Sequence, residues 1–347
     1  MMNTTVSPLP RPYTGDYQTG LSLVELMISI TIGLLLLTGI AMLITQQSSS
    51  RTEIDKSGRQ IENGRYALTL LQDDIQHAGY YGQYSGALTT LTALPNPCAT
   101  DIASIDASLA MPLQGYDAPT TVPDPLSTCL PDANHVSGTD ILVVRRLEAD
   151  DTLPTISTAV PGQIYVQATP DGKVTGSGSD TSVFNLTQKD GTTPAELRKY
   201  VEHIYFISPC NVYAPGATTC TGTADDGNPV PTLKRLEMSV TSGTTTLVVT
   251  PLVDGIQNMQ LDYGIDNTGS GVPALPFVTA PNVADWPNVM EIQVNLLARN
   301  SETTTGYVDS KAYNMGLAGT VGPFSDAYKR HIYTAAVRAI NPSGRRE

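Results

Sequence analysis

The chain has 347 residues, 40% of them hydrophobic, enough for one large domain or two modest ones plus an anchor, and too many for a small peptide scaffold. Its formal charge of -13, with no block of Lys or Arg, argues against the phosphate-tracking surface of a nucleic-acid binder, so no nucleic acid is an expected partner. With 29 glycines and 25 prolines, the bulk of the chain reads as short strands broken by turns rather than a helical bundle.

Residues 1–20 are polar and contain only Arg11 and Asp16 as charges, which reads as a leader. From Leu26 to Ile44 no charged residue occurs, and a helix of that length covers roughly 28 Å, close to the hydrocarbon thickness of a bilayer. An ordinary secretory signal places its small-residue cleavage site after the apolar run. Here Thr19-Gly20 precedes that run, so a cut after Gly20 removes the leader and keeps the helix as an anchor over 21–44. Glu25 then lies inside the apolar segment, where an ionised carboxylate needs a partner. The amino group freed on Leu21 by that cut, carried by a neighbouring subunit, is one such partner. A signal-anchor helix starting at Leu26, with Glu25 among lipid headgroups, is the plain alternative.

Beyond Ile44 the chain turns polar but stays compatible with helix to about Ala78, with no proline between Leu21 and Pro95 and with Ile54, Ile61, Leu68 and Ile75 at sevenfold spacing. Leu71 and Ala78 widen the stripe. It serves either as a seam to other subunits or, as we favour, as the face of an amphipathic helix that packs on its own sheet. Gly79 is expected to close the helix, and Gly33, Gly39, Gly58 and Gly64 are places where it could bend.

After Gly79 the period changes to two. Strands are expected at Ile141 to Leu147, Gln163 to Ala168, Val201 to Ser208, Leu233 to Val240, Thr246 to Thr250, Gln257 to Tyr263, Val289 to Ala298 and His331 to Ala339. In the seventh, Met290, Ile292, Val294 and Leu296 alternate with Glu291, Gln293 and Asn295, which sets one face on a core and one in water. The fold class is therefore α+β, a long N-terminal helix over 21–78 on one antiparallel β-rich domain over 79–347. The four cysteines, Cys98, Cys129, Cys210 and Cys220, lack CxxC spacing and point to disulfides in an oxidising compartment. The expected pairs are Cys98 with Cys129, across a Pro-rich insertion from Leu94 to Pro131, and Cys210 with Cys220; all three connectivities remain formally open.

No phosphate loop, nucleophile elbow, HExxH helix or paired-cysteine metal site occurs, so neither an enzyme nor a cofactor is expected. The histidines, His77, His135, His203 and His331, are scattered and receive no role. Asp262, Asp266 and Asn267 depart from calcium-loop spacing and read as a turn, as do Asp225 and Asp226 beside Gly227. Arg145 and Arg146 read as strand-end charges.

Two stretches resemble known families. GLSLVELMISITIGLLLL, Gly20 to Leu37, resembles the class III signal of type IV prepilins and pseudopilins, with Leu21 in place of the commoner Phe and a longer leader than usual. That resemblance implies that Gly20 is the residue after which the prepilin peptidase cuts, that Leu21 becomes N-methylated, and that Glu25 serves assembly. From about residue 198 onward the chain resembles the PilW family of type IV pilus assembly proteins, through LKRLEMSV at Leu233 to Val240 and PLVDGIQNMQLDYGID at Pro251 to Asp266. The likeness continues through Trp286, NVMEIQVNLLARN at Asn288 to Asn300 and KRHIYTAAVRAINP at Lys329 to Pro342. It implies a minor pilin of the inner membrane with a periplasmic domain, acting with other minor pilins, the major pilin and the assembly platform in a priming complex or at the pilus tip. A J-type pseudopilin of type II secretion and a membrane-tethered adhesin or binding module are the alternatives.

Overall fold

The computed structural model describes residues 20–150 and 153–344, so the leader proposed for 1–20 lies outside the described residues except for Gly20. Among the described residues there are three α-helices, α1 (Leu23–His77), α2 (Ile102–Ser108) and α3 (Ile340–Gly344). The strands of the first half are β1 (Leu113–Tyr116), β2 (Ile141–Leu147), β3 (Ile164–Ala168), β4 (Lys173–Ser177), β5 (Leu197–Ser208) and β6 (Thr232–Thr241). Those of the second are β7 (Thr244–Asp254), β8 (Ile256–Ile265), β9 (Val289–Arg299), β10 (Tyr313–Asn314), β11 (Thr320–Val321) and β12 (Arg330–Arg338). The chain divides into two compact units, Met1–Ile54 and Asp55–Glu347.

In the second unit every strand pairing is antiparallel. A seven-stranded sheet runs β1-β2-β5-β3-β4, with β6 also on β5 and β7 on β6, and a three-stranded sheet runs β12-β9-β8. The main core lies where the C-terminal part of α1 meets both sheets, joining Ala67, Leu71 and Ile75 to Leu142, Tyr205, Leu261 and Val294. All eight strands expected from period-two patterning are present, most of them a residue or more longer than the pattern indicated. β1, β4 and the β10–β11 hairpin were not anticipated. They are short, and Gly115 and Gly176 interrupt any alternation in the first two.

β2 explains its own unbroken apolar run, ILVV. Leu142 and Val144 face the main core, whereas Ile141 and Val143 face a second cluster with Val122, Leu126 and Leu130. A strand covered on both faces has no solvent side to make polar. The outer cover is the Pro-rich insertion, clipped by the Cys98–Cys129 disulfide; Cys210–Cys220 is the second bridge. The insertion is thus a packed layer on the sheet rather than a structureless loop, and it contains α2 and β1.

Two expectations need correction. β9 exposes its second face only in part: Glu291 and Gln293 are half-buried, but Asn295 is buried, and Leu297 packs with Tyr313 and Met315 of the segment folded over it. Arg145 is not a strand-end charge. It is fully buried, with Nε donating to Glu202 Oε2 at 2.6 Å, Nη1 to the Met111 carbonyl at 3.0 Å and Nη2 to Gln114 Oε1 at 2.9 Å. Burial works to lower its pKa, but the Glu202 and Tyr200 oxygens outweigh it and the net shift is upward.

Candidate functional site: the N-terminal helix and its seat

The helix begins two residues later than the apolar pattern implied, at Leu23, because Ser22 caps it. Glu25 donates its backbone N–H to Ser22 Oγ at 3.2 Å, and Leu26 N–H donates to the Ser22 carbonyl at 3.1 Å. Ser22 and Glu25 stand in the S-x-x-E spacing of a capping box, a signal legible in the sequence and overlooked there. Glu25 therefore sits in the first helical turn, where the helix dipole favours a negative charge.

Gly20 is exposed, and a Cβ built on it meets nothing within 4 Å. Among the described residues, packing places no demand for glycine there. Leu21 is 71% exposed. Further along, the hydroxyls of the apolar stretch are satisfied within the helix: Ser29 donates to the Glu25 carbonyl at 2.7 Å, Thr38 to that of Leu34 at 2.8 Å and Thr45 to that of Met42 at 2.9 Å. Such internal bonds remove the cost of carrying hydroxyls into lipid. Among the described residues one helix, Leu23–His77, is long and apolar enough to cross a membrane, and its most apolar window is wholly unburied.

In the second unit, the later part of α1 has a seat built on a different stripe from the isoleucine series. The buried positions are Gln60, Gly64, Ala67, Leu71, Asp74 and Ile75, a four-three spacing. Ile61 is 45% exposed. Leu68 and Ile75 do join the core. At the upper end Gln60 Nε2 donates to the carbonyls of Ala298 at 2.8 Å and Lys329 at 3.0 Å. A Cβ on Gly64 would stand 2.2 Å from the Tyr333 ring of β12, so this glycine is a contact with a neighbouring strand rather than a bend.

At the lower end Asp74 holds the helix to the seven-stranded sheet. Its carboxylate accepts from Arg146 Nε at 2.7 Å, Tyr205 Oη at 2.9 Å and His203 Nδ1 at 2.7 Å. Burial alone would raise its pKa; the hydrogen bond and charge of His203, with Arg146, outweigh that and hold it well below the usual carboxylate range. The other ring nitrogen of His203 lies 3.5 Å from Glu237. His203, given no role from sequence, thus bridges helix to sheet. Gly79, with φ +72°, ends the segment and donates its N–H to the Arg145 carbonyl at 2.9 Å.

The loops read as turns are turns. Asp266 accepts the backbone N–H groups of Thr268, Gly269 and Gly271, and the Thr268 hydroxyl and these amides hold its carboxyl well below the usual range. Asp225 accepts those of Asn211, Val212 and Val230. Asp262 lies apart, bonded to Leu317 N–H and Asn295. Among the described residues no group of three or more His, Cys, Asp or Glu side chains converges as a metal site.

Comparison with family models finds two matches. Residues 218–341 match type IV pilus-assembly protein W, and residues 16–41 match the prokaryotic N-terminal methylation motif. Comparison with curated proteins and with solved structures finds no match.

Proposed function

Because one chain carries a PilW match over 218–341 and the prepilin methylation motif over 16–41, a pair that supports a type IV pilus-related minor pilin, we propose that it acts in the priming complex or at the tip of a pilus. It is a structural component, anchored by a single membrane-spanning helix in the inner membrane with its sheet domain in the periplasm. The prepilin peptidase removes the leader after Gly20, Leu21 is N-methylated, and Glu25 pairs with the amino terminus of a neighbouring subunit.

The observation that carries this reading is the setting of Gly20. Among the described residues nothing requires a glycine there, whereas a peptidase that needs close approach of the backbone does. Glu25 lies five residues on, at the mouth of an unburied apolar helix, where an amine on an adjacent helix offsets the cost of its charge. The test is the amino-terminal residue of protein recovered from its native envelope. N-methylated Leu21 is expected; a terminus upstream of Leu21 overturns the reading.

A further inference from the structure

The chain is strongly acidic, with 20 Lys and Arg against 33 Asp and Glu, yet one cleft of about 400 Å³ in the second unit is lined by cationic side chains and no carboxylate. Arg65 comes from α1, Lys311 from the segment before β10, and Lys329, Arg330 and His331 from the start of β12. Arg330 is neutralised by Asp309 at 2.8 Å and Asp326 at 2.6 Å. Arg65 and Lys311 are exposed and form no ion pair among the described residues.

The place of the cleft follows from its lining. α1 covers one face of β12, through Gly64 against Tyr333. The β10 segment covers the opposite face, through Ile332 with Tyr313 and Met315. A cleft lined from both covering layers opens at the edge of the strand between them. β12 is the terminal strand of its sheet. Asn300 N–H donates to the Lys329 carbonyl and Ala339 N–H to that of Met290, so odd-numbered residues of β12 exchange hydrogen bonds with β9 and even-numbered ones turn theirs outward. Ile332, Thr334 and Ala336 therefore present alternating N–H and C=O groups at an open edge, and Thr334 and Ala336 are exposed.

We infer that this edge takes an extended, acidic segment of a neighbouring protein chain, which adds as a strand to β12 and sets carboxylates on Arg65 and Lys311. Main-chain pairing supplies the affinity and the flanking cations the selectivity. A nucleic-acid strand satisfies the cations but has no backbone N–H to donate to the Thr334 and Ala336 carbonyls, so a peptide fits the edge better. The inference stands on the cleft alone, whether or not the chain enters a pilus.

The test uses the full chain in detergent micelles at low salt and a fluorescent octapeptide of alternating Thr-Thr and Glu-Glu pairs, whose carboxylates fall on both faces of an extended strand, read by anisotropy. Binding is expected, falling about tenfold or more in the double variant Arg65→Glu, Lys311→Glu and weakening with added salt. Both positions are exposed, so an unchanged melting curve shows that the variant folds. The Thr–Lys counterpart and a Thr–Glu peptide methylated on every amide nitrogen should not bind. Absence of binding up to about 1 mM, equal binding of the methylated peptide, or stronger binding of a short single-stranded DNA would each overturn the inference.

Discussion

Asp74 takes three side-chain donors from β2 and β5, so its removal leaves the half-buried Arg146 without its counter-charge and the buried His203 and Tyr205 without their shared partner. Asp74→Ala should lower unfolding stability by about 3–5 kcal/mol, measured by denaturant titration. Gly64→Ala drives a methyl group into the Tyr333 ring and should cost about 1–3 kcal/mol; the double variant with Tyr333→Ala should recover part of that. Asp140 tests the opposite electrostatic case. Burial pushes its pKa up to about 7, despite backbone N–H donors from Ala118 at 2.8 Å and Leu261 at 2.7 Å. A carboxyl whose folded pKa lies above its ordinary value of 3.8 binds more protons folded than unfolded. Its stabilising contribution is full below that value and is lost as pH rises through about 7. Asp140→Asn should therefore flatten the fall in stability between these limits; a wild-type and variant pair of equal slope would contradict the assignment. Asp74 and Asp140 did not stand out in the sequence and Gly64 did so only as a possible bend, because their partners are distant in the chain, from Ala118 beside Asp140, 22 positions away, to Tyr333 beside Gly64. Arg145 was misread for the same reason, since Glu202 is 57 residues distant.

At the scale of elements, pattern located the eight strands, including β2, but did not show which of their faces are covered. The eight strands and the helix end at Gly79 follow from pattern and turn chemistry. In and just after α1 the sequence stripe gave Leu71, Ile75 and Ala78 of the core but not the earlier contacts, because Gln60 and Gly64 hold the helix by hydrogen bonding and close approach, features that a search for isoleucines passes over. The insertion offered no periodic signal because it folds against the outer face of a sheet already formed by distant strands. The bridge between Cys98 and Cys129 closes 31 residues of it, and opening such a loop costs about 3–4 kcal/mol through the entropy of the unfolded chain. The double variant Cys98→Ser, Cys129→Ser should show that loss in a melting experiment.

For the whole molecule, the proposed site divides into a processing signal whose residue types were legible in sequence and a seat that was not. The roles proposed for Gly20, Leu21 and Glu25 rest on local order. Those of Arg146, His203 and Asp74 emerge only once the sheet has brought them together. Glu25→Ala should leave removal of the leader intact and reduce recovery of the protein in sheared filaments; filaments that contain the variant at wild-type levels would count against a role for Glu25 in assembly.

The ladder from Gln60 and Gly64 to Ala298, Lys329 and Tyr333 joins residues up to 273 positions apart. A ribosome makes the helix early and its cradle last, so the stripe must wait, uncovered, while most of the polypeptide is still being made. A product that stops short of β12 would have the whole seven-stranded sheet and the β8–β9 pair, but not the Tyr333 ring against which this turn of the helix comes to rest.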